Sequence, residues 1–178
     1  KGSLIGVSFA NDGKTIFLSA GDEGSVIVFD YLNLKVIQVI SLNGEFNGKK
    51  YQDSFTSDLV FLPEKNELLV LDLANYRLVR INAYTKKIIA SISTGRLPFG
   101  LAISPDKKTA LVANVGMYAY SLIAGATKEN YDSILISNHP YGHNTSESRN
   151  GTIINGKQIP GVGDPNAEEA MSVFIIDL

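Results

Sequence analysis

The chain has 178 residues, 19% of them charged and 44% hydrophobic, with a formal net charge of -2. That length suits one globular domain, and the acidic balance argues against a nucleic-acid partner, which would favour a basic face. No apolar run approaches the roughly 18 residues a membrane-crossing helix needs, and the absence of Cys removes disulfides, thiolate metal sites and a Cys nucleophile together.

The chain opens Lys1, Gly2, Ser3, Leu4, without the apolar stretch of a secretory leader and without an initiator Met. The expectation is a processed end or a cut inside a longer protein. A Cys-free sequence suits the cytosol and the bacterial periplasm equally, so it gives no address.

Taken in chain order, the first element is GVSFANDGKTIFLS (6–19), a short apolar strand, a polar turn and a second strand. Asn11, Asp12 and Gly13 supply the turn chemistry, and β-branched and aromatic residues follow, so the segment reads as a hairpin. SVIVFD (25–30) and KVIQVIS (35–41) add two more strands, joined near Asn33. After a long link at 43–57 the unit recurs as DLVFLPEKNELLVL (58–71), RLVRIN (77–82) and KIIASIS (87–93), the last two joined near Thr85. A third copy begins GLAISPDKKTALVA (100–113) and reappears as SVFIID (172–177). No strand follows it before Leu178.

Gly6 to Asp30 spans 24 residues and Asp58 to Asn82 spans 24 again, whereas Gly100 to Asp177 spans 77, an excess of 53. The third copy is therefore the same unit opened by an insertion at about 115–171. Four strands per repeat of about 40 residues is the pattern of a β-propeller blade. Val26, Ile27, Val28 and Phe29 are apolar without alternation, so this strand wants cover on both faces, which neighbouring blades supply. The expected fold is all-β: a propeller fragment of about three four-stranded blades, part of a seven-bladed whole. Its blades lie at about 4–42, 58–94 and 100–178, and the fragment is expected to be poorly soluble alone. A β-sandwich is the alternative, and the equal 24-residue spacings speak against it. Helical signal is confined to a short turn around Pro165 to Met171.

Strands of a blade alternate in direction, so the link at 43–57 and the insertion belong to one end of the sheets. Loops held by a rigid scaffold commonly carry binding, which makes that face the candidate site. On it the sequence offers Arg96 for an anion or a blade-joining hydrogen bond, and Asn114 at a strand end. Tyr118, Tyr120, Tyr131 and Tyr141 could form a carbohydrate- or partner-binding surface, or pack the loop onto the blades. His139 and His143 stand four apart, but Pro140 and Gly142 make this a loop and not a metal-binding helix face. Asp164, Asn166 and Glu168 have the alternate oxygens of a calcium loop without its mid-loop Gly or distal Glu, so a turn in which Asp and Asn bond the backbone competes with Ca²⁺ binding. No other cofactor is indicated. Ser121, Ser137 and Ser146 lack a nucleophile-elbow context, and no catalytic residue is assigned.

GLAISPDKKTALVAN (100–114), preceded by Pro98, resembles the YVTN (YncE-like) propeller repeat, P-x-G-I-A-x-S-P-D-G-K-x-x-Y-V-A-N, with Lys107 in place of its Gly and Leu111 in place of its Tyr. NVGMYAYS (114–121) and IPGVGDPNAEEAMSVF (159–174) are similar to the interrupted blade of bifunctional proteins that join such a propeller to an alkaline-phosphatase-like domain. This resemblance implies a secreted, periplasmic or cell-surface bacterial protein. In it the present chain is a non-catalytic binding or scaffold module, partnered by the remaining blades and a phosphoesterase domain beyond Leu178. Lactonase activity, known among YVTN-like propellers, and an adhesion-type surface repeat are the alternatives.

Overall fold

A computed structural model describes residues 5–121, 123, 125–127, 130–134 and 145–178. It contains three consecutive antiparallel sheets. The first is β1 (Val7–Phe9), β2 (Thr15–Ser19), β3 (Ser25–Asp30) and β4 (Lys35–Ser41), hydrogen-bonded in chain order. A small hairpin follows, β5 (Gly44–Phe46) and β6 (Lys49–Tyr51), turning at Asn47 and Gly48, both with positive φ. The second sheet is β7 (Thr56–Leu62), β8 (Glu67–Asp72), β9 (Arg77–Asn82) and β10 (Lys87–Ser93), again in chain order. The third begins with β11 (Pro98–Ile103) and β12 (Thr109–Asn114).

The chain then leaves the sheet through α1 (Tyr131–Ile134), α2 (Ser146–Asn150) and a hairpin of β13 (Gly151–Ile154) and β14 (Lys157–Pro160). It returns as β15 (Val173–Asp177), which pairs antiparallel with β12 from Thr109↔Asp177 to Ala113↔Val173. The insertion is thus an excursion between two neighbouring strands of one sheet. Among the described residues its short helices lie at 131–134 and 146–150, which the sequence did not suggest, while 165–171 is turns, in keeping with the short turn read there. Thr145 caps α2 by accepting from the Ser148 N–H, a local cue in the Thr-Ser-Glu-Ser run.

The repeat extends to irregularities. The outer pair β3–β4 slips at Ile37 and β9–β10 slips at Ile89, the same position in the two copies. At the ends of the sheets, Asp12, Asp30, Asn82 and Asp106 each accept a backbone N–H two residues ahead, which is why these turns carry Asp or Asn.

Two apolar layers bind the sheets face to face. Phe17, Val26, Val28 and Ile40 of the first sheet meet Leu59, Leu68, Val70, Val79 and Ile81 of the second. Leu69, Leu71 and Leu78 on the other side of the second sheet meet Ala110, Val112 and Ile176 of the third. Strand β8 is therefore buried on both faces, Leu68 and Val70 toward one neighbour and Leu69 and Leu71 toward the other. Each such side chain contributes about 1.5–3 kcal/mol on full burial. This sandwiching is the reason the sequence of β8 shows no alternation. The fold is an all-β propeller-type fragment of three stacked sheets, two of four strands and the third of three, β11, β12 and β15.

Candidate binding face

The link after β4, the β8–β9 turn, the link after β10 and the insertion all meet at one end of the sheets. Two buried arginines hold them there. Arg77, at the start of β9, is 2% exposed and its Nε donates to Asp72 Oδ2 at 2.8 Å. Its Nη2 donates to the Leu42 carbonyl at 2.7 Å, and its guanidinium lies 3.5 Å from the Tyr51 ring centroid. One side chain therefore joins the second blade, the end of the first blade and the hairpin between them. Asp72 also accepts from Ser54 Oγ at 2.8 Å, the Phe55 N–H at 3.1 Å and Asn75 Nδ2 at 3.0 Å. The carboxylate is fully buried and saturated by donors, which is what a charge requires when removed from water.

Arg96 does the same for the insertion. It is buried, and its Nη1 donates to the carbonyls of Met117 and Asp164, both at 2.8 Å. Its Nη2 pairs with Glu169 Oε1 at 2.9 Å. Its backbone N–H donates to the Glu169 carbonyl, and its carbonyl accepts from the Gly116 N–H. Both roots of the insertion are fastened to one residue. The Glu169 backbone N–H and the Arg96 guanidinium hold the Glu169 carboxyl below its ordinary range. An anion reaching Arg96 would have to displace that carboxylate and two carbonyls.

Asn114 ends β12 at the repeat position that Asp72 occupies in β8. Its Nδ2 donates to Ser172 Oγ at 3.2 Å and to the Val112 carbonyl at 3.4 Å, while its Oδ1 is buried without a partner among the described residues. Gly95 packs so closely here that a Cβ would lie 2.6 Å from the Glu169 carbonyl and 2.7 Å from Asn114 Cγ. Tyr118 and Tyr120 stand edge to face with centroids 6.4 Å apart. The Tyr76 hydroxyl, pushed up in pKa by burial, bonds to the Tyr120 backbone and so ties the second blade to the insertion. Val115, Met117, Tyr120 and Met171 are exposed around this root. Met171 is held there by its N–H to the Gly116 carbonyl.

Asp164 Oδ1 accepts from the Asn166 N–H at 3.0 Å, the geometry of a backbone-bonding turn, and Glu168 is exposed. Among the described residues no group of three or more His, Asp or Glu side chains is placed to hold a metal ion. His139, Tyr141, His143 and Ser137 lie outside the described residues. The structure brings Arg96, Asn114, Tyr118, Tyr120 and Asp164 to one face. It adds Asp72, Arg77, Tyr51, Tyr76 and Glu169, which sequence reasoning passed over. A signal for two of them existed: Asp72 and Arg77 are oppositely charged residues five apart, one closing β8 and the other opening β9.

No protein-family model matches the chain, and no curated protein matches it in sequence. Among solved structures, a chain of Kuenenia stuttgartiensis hydrazine synthase is similar to it, with a TM-score of 0.54 and 26% identity over 64% of this chain. The match spans 30% of that neighbour's length, so the likeness concerns a part of a longer protein. It accords with the all-β propeller-type fold and extends no further.

Proposed function

We propose that this chain is a non-catalytic binding or scaffold module of the YVTN (YncE-like) propeller type, acting through the face that carries the insertion. The observation that supports it is the rooting of two excursions from different blades on one face by buried arginines, leaving Val115, Met117, Tyr120 and Met171 exposed beside them. The charged groups of this face, Asp72 with Arg77 and Glu169 with Arg96, are paired with each other and hold loops in place. The mixed apolar and tyrosyl surface suits a sugar ring or the apolar side chains of a companion domain. The proposed setting is a larger secreted bacterial protein, periplasmic or at the cell surface. The phosphoesterase domain of the bifunctional proteins it resembles is the proposed companion.

Two measurements test this reading. The chain should not hydrolyse p-nitrophenyl phosphate or γ-butyrolactone above background with Ca²⁺ or Zn²⁺ added; turnover abolished by Asn114→Ala would favour a lactonase instead. Calorimetric titration with a panel of oligosaccharides and with an alkaline-phosphatase-like domain should find a ligand. Its affinity should fall about tenfold or more in Tyr120→Ala, the loss of one aromatic contact. Binding untouched by changes at Met117, Tyr118 and Tyr120 would move the site elsewhere.

A further inference from the structure

In an Asn-Gly pair the asparagine carboxamide meets the next backbone nitrogen most easily, because glycine brings no Cβ to crowd the approach. The chain has four such pairs, at Asn43, Asn47, Asn150 and Asn155. The fold treats them in two ways.

Two are locked. Asn43 Oδ1 accepts the Ser54 N–H at 2.9 Å, and the Leu42 carbonyl just before it is held by Arg77. Asn150 ends α2, where its Nδ2 donates to Ser146 Oγ at 3.2 Å and the Gly151 N–H donates to the Glu147 carbonyl. A Cβ on Gly151 would lie 2.5 Å from the Ile159 carbonyl oxygen, so the backbone has no room to turn there.

The other two stand at the tips of the hairpins β5–β6 and β13–β14. Asn47 and Asn155 are exposed, each with a φ of 50° and each followed by a Gly with a φ of 76°. Two successive positive φ angles are what a two-residue type I′ turn requires. Nothing lies within 4 Å of where a Cβ on Gly48 or Gly156 would stand. The strands have three residues in one hairpin and four in the other, and a two-stranded unit of that size opens readily.

We propose that Asn47 and Asn155 are sites of spontaneous deamidation. When a tip opens, the glycine nitrogen loses its proton and attacks the Asn Cγ. The new C–N bond closes a succinimide, and the side-chain nitrogen leaves as ammonia with that proton. Water then opens the ring at either carbonyl, giving aspartate or isoaspartate, and nothing is oxidised or reduced. The two products differ in consequence. Aspartate still suits an Asp-Gly turn, whereas isoaspartate adds a carbon to the backbone, so Phe46 and Lys49 no longer face each other. Tyr51 ends β6, stacks on Arg77 and accepts from Ser91 Oγ at 3.1 Å, so a slip of β6 reaches the joint between the first two blades. This inference does not rest on the proposed binding role.

The test is peptide mapping of the protein after storage in mildly alkaline buffer, with isoaspartate detected by enzymatic methylation. Asn47 and Asn155 should convert about tenfold or more faster than Asn43 and Asn150, since only their tips open without wider unfolding. The same protein held unfolded in guanidinium should convert all four at similar rates. Asn47→Gly keeps the turn as Gly-Gly, and should abolish isoaspartate there while Asn155 continues unchanged. The form with isoaspartate at 47, separated chromatographically, should melt below the form with aspartate at 47. Folded protein in which Asn43 and Asn150 convert as fast as the tips overturns the proposal. So does folded protein whose tips stay intact while the guanidinium sample converts. Equal melting of the two product forms overturns the link to Tyr51.

Discussion

At the scale of single residues, the strongest dependence falls on Arg77. Removing it leaves Asp72 fully buried with its charge uncompensated, and breaking a buried pair in this way costs about 3–5 kcal/mol. Arg77→Ala should therefore lower the urea midpoint far more than Arg80→Ala, whose pair with Glu67 is nearer solvent and contributes about 1 kcal/mol or less. Arg77→Lys should not rescue it, since an ammonium cannot both bond Asp72 and Leu42 and stack on Tyr51 in one plane. Asp12 makes a second prediction. The Thr15 hydroxyl and the Lys14 N–H lower its pKa from 3.8 to about 2. A depressed carboxylate contributes stability above its unfolded pKa and loses it as pH falls through the folded value. Asp12→Asn should accordingly flatten the drop in melting temperature between pH 4 and pH 2, and leave the curve at neutral pH parallel to wild type.

At the scale of elements, the question is what keeps a long insertion from disturbing the blade that carries it. Strands β12 and β15 pair as though adjacent in sequence, and the insertion's two roots are fastened to Arg96 just before β11. Arg96→Ala should free the insertion while sparing the sheet. Limited proteolysis would then cut faster within 117–171, and hydrogen exchange of Leu111, Val112 and Ile176 would stay slow. Gly95→Ala tests the same joint by crowding it, since the added Cβ meets the Glu169 carbonyl and Asn114 together. Overpacking of this kind costs roughly 1–3 kcal/mol, readable as a shift in denaturation midpoint without loss of strand signal. The face and the insertion's limits were legible in the sequence, because strand order and the 24-residue spacing determine them. The clamp was not. Arg96 reads as a lone cation beside Gly95, and its partners Met117, Asp164 and Glu169 lie up to 73 residues away.

At the scale of the whole molecule, stability is unevenly distributed because the inner sheet faces are covered and the outer ones are not. Phe17 and Phe9 are the same residue type on neighbouring strands of one blade, but Phe17 is 2% exposed. Phe17→Ala should cost about 3–5 kcal/mol, whereas Phe9→Ala should cost less than about 1 kcal/mol in the isolated chain. The difference should narrow when a further blade covers the first, which denaturation of a chain extended by a preceding blade would show. Repeat architectures behave in this way because each unit gains most of its stability from its neighbours.

What the amino-acid sequence determined by itself was periodic and local: strands, tight turns with Asp, Asn and Gly where the backbone demands them, a unit repeated three times, and a 53-residue interruption of the last. Those properties follow from side-chain period and turn chemistry, which act over a few residues. Only the tertiary structure decided which ionisable groups are buried together. Asp72 and Arg77 stand five apart across one turn, but Tyr51 and Ser54 reach them from another segment, and Arg96, Asn114 and Glu169 come from three segments whose spacing announces no partnership. The same holds for the apolar faces. Val7 and Leu59 are equivalent in the repeat, yet one is open and the other covered, because burial depends on which blade stands beside it.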